Sequence, residues 1–283
     1  MSIQTVMVIG AGQMGGGIAQ VMAAAGKKVY LNDVSADVVL TRIEFITKLL
    51  EKDVPKGKID AAQKSAILEN LTVSADLKDA ASCDLVVEAI IENMEIKGKV
   101  FQTLDEVCKP SCILASNTSS LPITEIAAFT KRPEQVIGMH FMNPVPVMKL
   151  VEIICGLATS SETYAAIRGL SLELNKTPVE VRDVPGFISN RVLQVMINEA
   201  IYSLYEGVAT VEDIDTVMKL GMNHPMGPLQ LADFIGLDTV LAIMETLYSG
   251  YADCKYRPCP LLRQYVKAGW LGKKSGRGFY TYE

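Results

Sequence analysis

Histidine and tryptophan are nearly missing from this sequence: its 283 residues hold two histidines, His140 and His224, and one tryptophan. The six cysteines, at 83, 108, 112, 155, 254 and 259, form no C-x-x-C pair. A tetrahedral zinc centre needs several closely set thiolates or imidazoles, so no resident metal is expected. Scattered in this way, the cysteines read as reduced core residues of a cytoplasmic protein. An excess of positive charge is also lacking: 27 Lys and Arg face 32 Asp and Glu, a formal net charge of −5. Such a balance offers no general attraction to nucleic acid or to an anionic membrane. Nor is there an uninterrupted apolar run of about 18 residues, the length a membrane span requires. Residues 1–25 are apolar, but no basic stretch precedes them, and Gly10, Gly12, Gly15, Gly16 and Gly17 interrupt them, so they do not read as a signal peptide.

What the chain has is apolar content, 49% hydrophobic against 21% charged, which excludes disorder. At roughly 100–200 residues per domain, one large or two moderate domains are expected. Strands are expected at Ile3–Ile9, Lys28–Asn32, Leu71–Ser74, Leu85–Ile90, Cys112–Ser116 and Val136–Phe141. Helical stretches fall between them, among them Gly12–Ala25, Ser35–Lys52, Asp60–Asn70 and Asn93–Cys108. That alternation means βαβ units and a Rossmann-type, doubly wound, mostly parallel sheet, an α/β fold. A bend at Pro144 and Pro146 leads to a strand at Lys149–Cys155, a helix at Ser160–Asn175 and a last strand at Val179–Arg182. Asp183-Val184-Pro185-Gly186 reads as a linker, which divides the chain into an α/β domain of residues 1–184 and an all-α domain of residues 185–283. The later helices are expected at Phe187–Glu206, Val211–Leu220, Pro228–Tyr248 and Leu261–Ala268. The first of these carries apolar residues around nearly its whole circumference, more than one packed face requires. A helical domain this small has limited interior, so a homodimer interface is one reading and a central helix of the domain the other.

The chemistry concentrates at the carboxyl ends of the strands. Gly10-Ala11-Gly12-Gln13-Met14-Gly15 joins the first strand to the first helix, the context in which G-x-G-x-x-G marks a dinucleotide site. Gly10 allows the turn, Gly12 admits a pyrophosphate, and Gly15 lets helix and strand approach. The helix N-terminus offers N–H groups to the phosphates. Asp33 ends the second strand, where a carboxylate accepts from the ribose hydroxyls of NAD and repels the 2′-phosphate of NADP. Two further segments, Ser116–Ser120 and Gly138–Pro144, follow apolar strands. If Val136–Phe141 and Lys149–Cys155 pair antiparallel about Pro146, His140 faces Glu152, and a carboxylate against an imidazole makes an acid/base pair. By pattern alone His140 is equally a structural residue. Asn190 reads either as a polar group needing partners among apolar neighbours or as part of its helix's first turn. Lys52, Lys56 and Lys274 are solvated charges or phosphate ligands, and His224 reads as a turn residue.

Seven ordered motifs, VIGAGQMGGGIAQ, VVEAIIENMEIK, SNTSSL, GMHFMNPVPVMKLVEII, DVPGFISNR, NHPMGPLQLADFIGLD and GWLGKKSGRGFYTY, together resemble the L-3-hydroxyacyl-CoA dehydrogenase family over essentially the whole chain. The likeness is to its short bacterial branch. It implies reversible, NADH-dependent reduction of acetoacetyl-CoA to (S)-3-hydroxybutyryl-CoA, with NAD bound by the first domain and dimerisation through the second. His140 then matches the proton-exchanging histidine and Glu152 its carboxylate partner. Ser119 and Asn190 match the groups that hold the substrate's oxygens, and Ser119 also neighbours the nicotinamide. Gly10 to Gly15 and Asp33 match the dinucleotide site, and Glu92, Lys97, Asn143 and Lys274 match further NAD contacts. Lys56 matches a lysine on the CoA phosphates, with Lys52 a nearby second. Leu49 stands where some relatives place a polar CoA contact, which removes one hydrogen bond but leaves the chemistry. Two rival readings share the fold: a sugar-acid dehydrogenase of the gulonate type, indifferent to CoA, and a non-catalytic, crystallin-like NAD-binding protein. A third is an oxidation domain cut from a multifunctional chain, against which the start at Met1 and the end at Tyr282-Glu283 favour a stand-alone enzyme.

Overall fold

The computed structural model describes residues 2–282, so Met1 and Glu283, at the two ends of the sequence, lie outside it. The chain divides into two compact units, one ending at Asp183 and the other beginning at Val184.

The first unit is built on eight strands: β1 (Thr5–Ile9), β2 (Lys28–Asn32), β3 (Leu71–Ser74), β4 (Leu85–Glu88), β5 (Ile113–Ser116), β6 (Val136–Phe141), β7 (Leu150–Cys155) and β8 (Thr177–Arg182). They form one sheet in the order β3-β2-β1-β4-β5-β6-β7-β8, parallel from β3 to β6, with β7 antiparallel to β6 and β8 parallel to β7. The central strands β4, β5 and β6 are buried along their whole length, as expected where helices cover both faces of a parallel sheet. The order reverses between β1 and β4, so the crevice at their carboxyl ends is the switch point where such folds take ligands. Strand β4 stops at Glu88 rather than Ile90, because the Glu88 carboxylate accepts the Ile90 N–H (2.7 Å) and closes a turn there. Strand β8 starts two residues earlier than expected and includes Pro178, which an edge strand tolerates.

The helices of this unit are α1 (Gln13–Ala24), α2 (Ala36–Asp53), α3 (Ala61–Glu69), α4 (Met94–Val107), α5 (Ile123–Ala127) and α6 (Ser161–Glu173). Side chains that prefer caps start four of them: Ser35, Asp60 in a capping box with Gln63, Asn93 and Ser160. Helix α5 is absent from the sequence-based assignment. It is a single short turn whose N–H groups at Ile123 (2.9 Å) and Thr124 (2.7 Å) donate to the Asp183 carboxylate. Asp183, read as linker, therefore anchors the end of the first unit.

The second unit holds α7 (Ser189–Tyr205), α8 (Val211–Gly221), α9 (Pro228–Ile235), α10 (Leu237–Tyr251) and α11 (Pro260–Lys267). Its core gathers Ile197, Ile201, Leu229, Leu237, Val240 and Leu262. The single helix expected over Pro228–Tyr248 is in fact two, broken where Gly236 takes φ +101°. No helix passes through that conformation, and for a residue with a side chain it is strained. Helix α7 is not the central helix that one of its two readings made it. Ile197, Ala200 and Ile201 are buried, but Val192 is 66% exposed, so one side of the helix is left uncovered. Asp215 and Asp233 are buried and fully employed: Asp215 caps α9 at Leu229 (2.8 Å), and Asp233 accepts from Phe279 and Tyr280 (both 2.9 Å). All six cysteines are unpaired, and Cys83, Cys108, Cys112 and Cys259 are buried. Cys254 is exposed, against the reading of every cysteine as a core residue.

Candidate active site

At the carboxyl end of β1, Gly10 turns with φ +100°, and a Cβ there would lie 2.6 Å from the Ala89 carbonyl oxygen. A Cβ on Gly15 would fall 1.7 Å from the Gly10 oxygen, so the helix sits on the turn only because both positions lack side chains. Around Gly12 the situation differs: a Cβ would meet nothing within 4 Å. No side chain caps α1, and no acidic residue stands in its first turn. The helix thus presents its first-turn end to an open space, with no carboxylate of its own in the first turn to repel an anion. Met14 faces inward and packs on the core, while Gln13 is exposed and donates to the Asn143 side-chain oxygen (2.9 Å). The backbone of Ala11 is engaged within the protein: its N–H donates to Asp33 (2.7 Å), and its carbonyl accepts from Arg42 Nε (2.9 Å). The other Asp33 oxygen accepts the Val34 N–H (2.8 Å), so the carboxylate braces the loop and keeps lone pairs for further donors. Arg42 carried no signal in the sequence reading. It also lies over the Phe45 ring (5.1 Å), and together these residues line a groove of about 560 Å³ beside the loop.

Strands β6 and β7 pair so that His140 stands directly opposite Glu152. Both are buried, and His140 Nδ1 lies 2.8 Å from a Glu152 oxygen. On the other side of the ring, Nε2 lies 3.0 Å from Ser119 Oγ. Carboxylate, imidazole and hydroxyl therefore form one line from the interior outward. The Glu152 contact makes Nδ1 the donor to the carboxylate, which leaves Nε2 to exchange a proton on the outer side. The connection between the two strands is itself held: the buried Lys176 donates to the carbonyls of Val145 (2.6 Å) and Met148 (2.8 Å). Asn117, at the end of β5, accepts the Phe141 N–H (2.9 Å) and ties that strand to the residue after His140.

A second polar network fixes Ser119. Glu88, fully buried at the end of β4, accepts from Lys97 (2.6 Å) and from Ser116 Oγ (2.7 Å). Lys97 also lies 3.4 Å from Glu92. One Glu92 oxygen accepts from Thr118 Oγ1 (2.6 Å) and from the N–H groups of Ser119 (2.9 Å) and Ser120 (3.0 Å). Partial burial pushes the Glu92 carboxyl up, but the Lys97 charge and these hydrogen bonds outweigh it and hold it below the ordinary carboxylate range. Lys97 is only 1% exposed and is held between the carboxylates of Glu88 and Glu92. Sequence reading gave no role to Glu88 or Lys176 and named Asn117 and Thr118 only as members of the Ser116–Ser120 segment. For Glu88 a signal existed, a lone carboxylate closing the apolar run Leu85-Val86-Val87.

The structure thus brings together Ser119, His140 and Glu152, and separately Gly10 to Gly15, Asp33 and Asn143. Lys52 and Lys56 are exposed near the C-terminal end of α2. Asn190 and Lys274 belong to the second unit. Asn190 is half-buried in the first turn of α7, and Lys274 pairs with Asp238 (2.7 Å). His224 lies in the α8–α9 connection, where its N–H donates to Met218. Among the described residues no group of histidines, cysteines and carboxylates could hold a metal ion. Nor, among the described residues, is any helix long and apolar enough to cross a membrane.

Comparison with known proteins bears on the same two units. The family description "3-hydroxyacyl-CoA dehydrogenase, NAD binding domain" matches residues 5–184, and "3-hydroxyacyl-CoA dehydrogenase, C-terminal domain" matches residues 186–282. A Bacillus subtilis protein named "Probable 3-hydroxybutyryl-CoA dehydrogenase" is 62% identical, over 100% of this chain and 99% of its own length. The 3-hydroxybutyryl-CoA dehydrogenase of Bradyrhizobium diazoefficiens is 55% identical over 99% of this chain and 96% of its own. The crystal structure of (S)-3-hydroxybutyryl-CoA dehydrogenase from Ralstonia eutropha superposes with a TM-score of 0.98 at 49% identity, covering both chains completely.

Proposed function

The chain belongs to the 3-hydroxyacyl-CoA dehydrogenase family, and from that premise we propose that it reduces acetoacetyl-CoA reversibly to (S)-3-hydroxybutyryl-CoA with NADH. The observation that carries this reading is the line Glu152–His140–Ser119, an acid/base pair with a hydroxyl at its outer end. The names of its full-length relatives support the four-carbon substrate. NAD fits the open space at Gly12: the loop from Gly10 to Gly15, with the amides of Gln13 and Met14, would hold the pyrophosphate, and Asp33 would hold the adenine ribose. When bound, it supplies or accepts the hydride at C3 of the acyl group. In the reducing direction His140 is protonated, donates Nδ1–H to Glu152, and delivers the Nε2 proton to the ketone oxygen. Glu152 stabilises the imidazolium and fixes the ring. Ser119 holds the same oxygen, and Glu92, with Lys97 behind it, positions Ser119. For Asn190 as a second substrate ligand, for Asn143 and Lys274 as cofactor contacts, and for Lys52 and Lys56 on the CoA phosphates, the support is the match to the family's motifs. The same match supports cofactor binding by the first unit, and substrate contacts and homodimerisation by the helical one. Six unpaired cysteines support a cytoplasmic setting.

The test follows nicotinamide absorbance with purified protein, NADH and acetoacetyl-CoA, with free acetoacetate as control. Rapid loss with the thioester alone is expected. General acid catalysis contributes about 10²–10⁴-fold, so His140→Ala should lose about that much turnover while binding NADH as before. A protein that binds NADH but turns over no thioester overturns the assignment. Turnover of free hydroxy acids instead would favour the sugar-acid reading.

A further inference from the structure

The fingerprint of the dinucleotide loop accounts for Gly10, Gly12 and Gly15, yet the chain runs on to Gly16 and Gly17. At Gly17 a Cβ would lie 2.9 Å from the Val145 Cβ, so α1 there packs against the connection between β6 and β7. Gly16 is bare for another reason. A Cβ on it would lie 2.3 Å from Arg42 Cδ and 2.8 Å from Cγ, so the Arg42 stem, coming from α2, crosses α1 where Gly16 leaves room. Past that crossing, Nε donates to the Ala11 carbonyl (2.9 Å), and the guanidinium lies 5.1 Å over the Phe45 ring. Helix, loop and ring thus hold a half-buried guanidinium at the edge of the dinucleotide loop.

Only one of its five N–H donors is spent there. Among the described residues, Nη1 and Nη2 bond to no protein acceptor, and no carboxylate pairs with the charge. The Asp33 oxygens are turned to the N–H groups of Ala11 and Val34. Arg42 instead lines the groove of about 560 Å³ that it shares with Ala11 and Gln13 beside the loop. A held guanidinium with a planar pair of unused donors is the group that takes phosphate oxygens in a two-point contact. We propose that Arg42 is a phosphate-binding residue of the cofactor site, its Nη donors meeting the pyrophosphate of NAD(H) from the side of α2, and that Gly16 serves binding by seating it. This rests on the reading of Gly10 to Gly15 as the dinucleotide loop. The helix N-terminus offers the pyrophosphate only a partial charge, and Arg42 adds a full one.

NADH is titrated by fluorescence into wild type, Arg42→Ala, Gly16→Ala and the double variant, at low and high salt, with a urea midpoint for each. Arg42→Ala should weaken NADH binding about tenfold or more, the worth of one hydrogen bond to a charged group. Added salt should narrow that gap, because it screens an ionic contact. In Gly16→Ala the methyl displaces only a flexible stem, and alanine suits a helix better than glycine. Its urea midpoint should therefore hold while NADH affinity falls by a similar factor. The double variant should bind no more weakly than Arg42→Ala, since both changes remove one contact. A gap that salt leaves unchanged would make Arg42 a brace for the Ala11 carbonyl and overturn the phosphate contact. Additive losses would overturn the role of Gly16. Equal NADH affinity in Arg42→Ala and wild type would overturn the proposal, also if KM for acetoacetyl-CoA rises, since the phosphate met would then be the thioester's. Wild type that binds no NADH would instead sink the reading of the loop, and this proposal with it.

Discussion

Three glycines of one loop are small for different reasons, and the difference separates fold from ligand. Gly10 and Gly15 lack side chains because protein atoms occupy the space, the Ala89 oxygen at 2.6 Å and the Gly10 oxygen at 1.7 Å. Gly12 faces nothing within 4 Å, so nothing in the protein explains it. A pyrophosphate drawn against the helix N-terminus does. Gly15→Ala should therefore destabilise the protein by about 1–3 kcal/mol, the usual cost of overpacking, read in a urea midpoint. Gly12→Ala should leave that midpoint nearly unchanged and weaken NADH binding by tenfold or more, about 1.4 kcal/mol, read by fluorescence titration. Equal NADH affinity in Gly12→Ala and wild type would remove the pyrophosphate from this loop. At the same scale, the carboxylate of Asp33 was legible as a ribose ligand by its position at the end of β2. That it also clasps the Ala11 N–H was not, because spacing says nothing about where a side chain folds back.

At the scale of elements, most of the sheet was legible because parallel strands are continuous apolar runs ended by glycine or polar residues. The facing of His140 and Glu152 followed from counting outward from Pro146, since a hairpin's register is fixed by its turn. What escaped was tertiary. Helix α5 depends on a carboxylate sixty positions away, which no local pattern reveals. The break between α9 and α10 at Gly236 left an apolar periodicity that runs on across it. The Glu88–Lys97–Glu92 network also escaped, because its members come from β4, α4 and the loop between. That network has a measurable pH signature. The Glu92 carboxyl is held below its ordinary value of 4.5, so the folded state binds its proton less readily than the unfolded chain. The resulting stability is complete above about that value and is lost as pH falls through the lower folded value. Glu92→Gln mimics the protonated carboxyl. Urea midpoints should thus lie below wild type at neutral pH and converge with it in acid. A gap that stays constant with pH would mean that the anionic charge does not hold the Thr118–Ser120 turn.

For the whole molecule, the distribution of apolar surface is the informative quantity. The net charge of −5 is modest and leaves association open. The helical unit exposes Val192 on α7 (66%), Val217 and Leu220 on α8 (59% and 83%), and Met222 beyond it (59%). Single exposed apolar side chains are ordinary, and of these four Val192 and Leu220 are the ones the proposed homodimer is tested on. Of the two readings of α7, a central helix or a homodimer face, the exposure of Val192 disfavours the first, and the proposed homodimer would cover that side. A second copy of the chain fits the family match and the small interior of the unit. Sedimentation should then give twice the mass of one chain, with an interface of at least about 1,200 Å² expected for a stable dimer. Val192→Glu and Leu220→Glu place a carboxylate where water is to be excluded, which costs several kcal/mol unless it is paired. Either substitution should shift the protein toward monomer at micromolar concentration. Wild type that sediments as a monomer would refute the dimer outright. Dimers untouched by both substitutions would refute α7 and α8 as its interface.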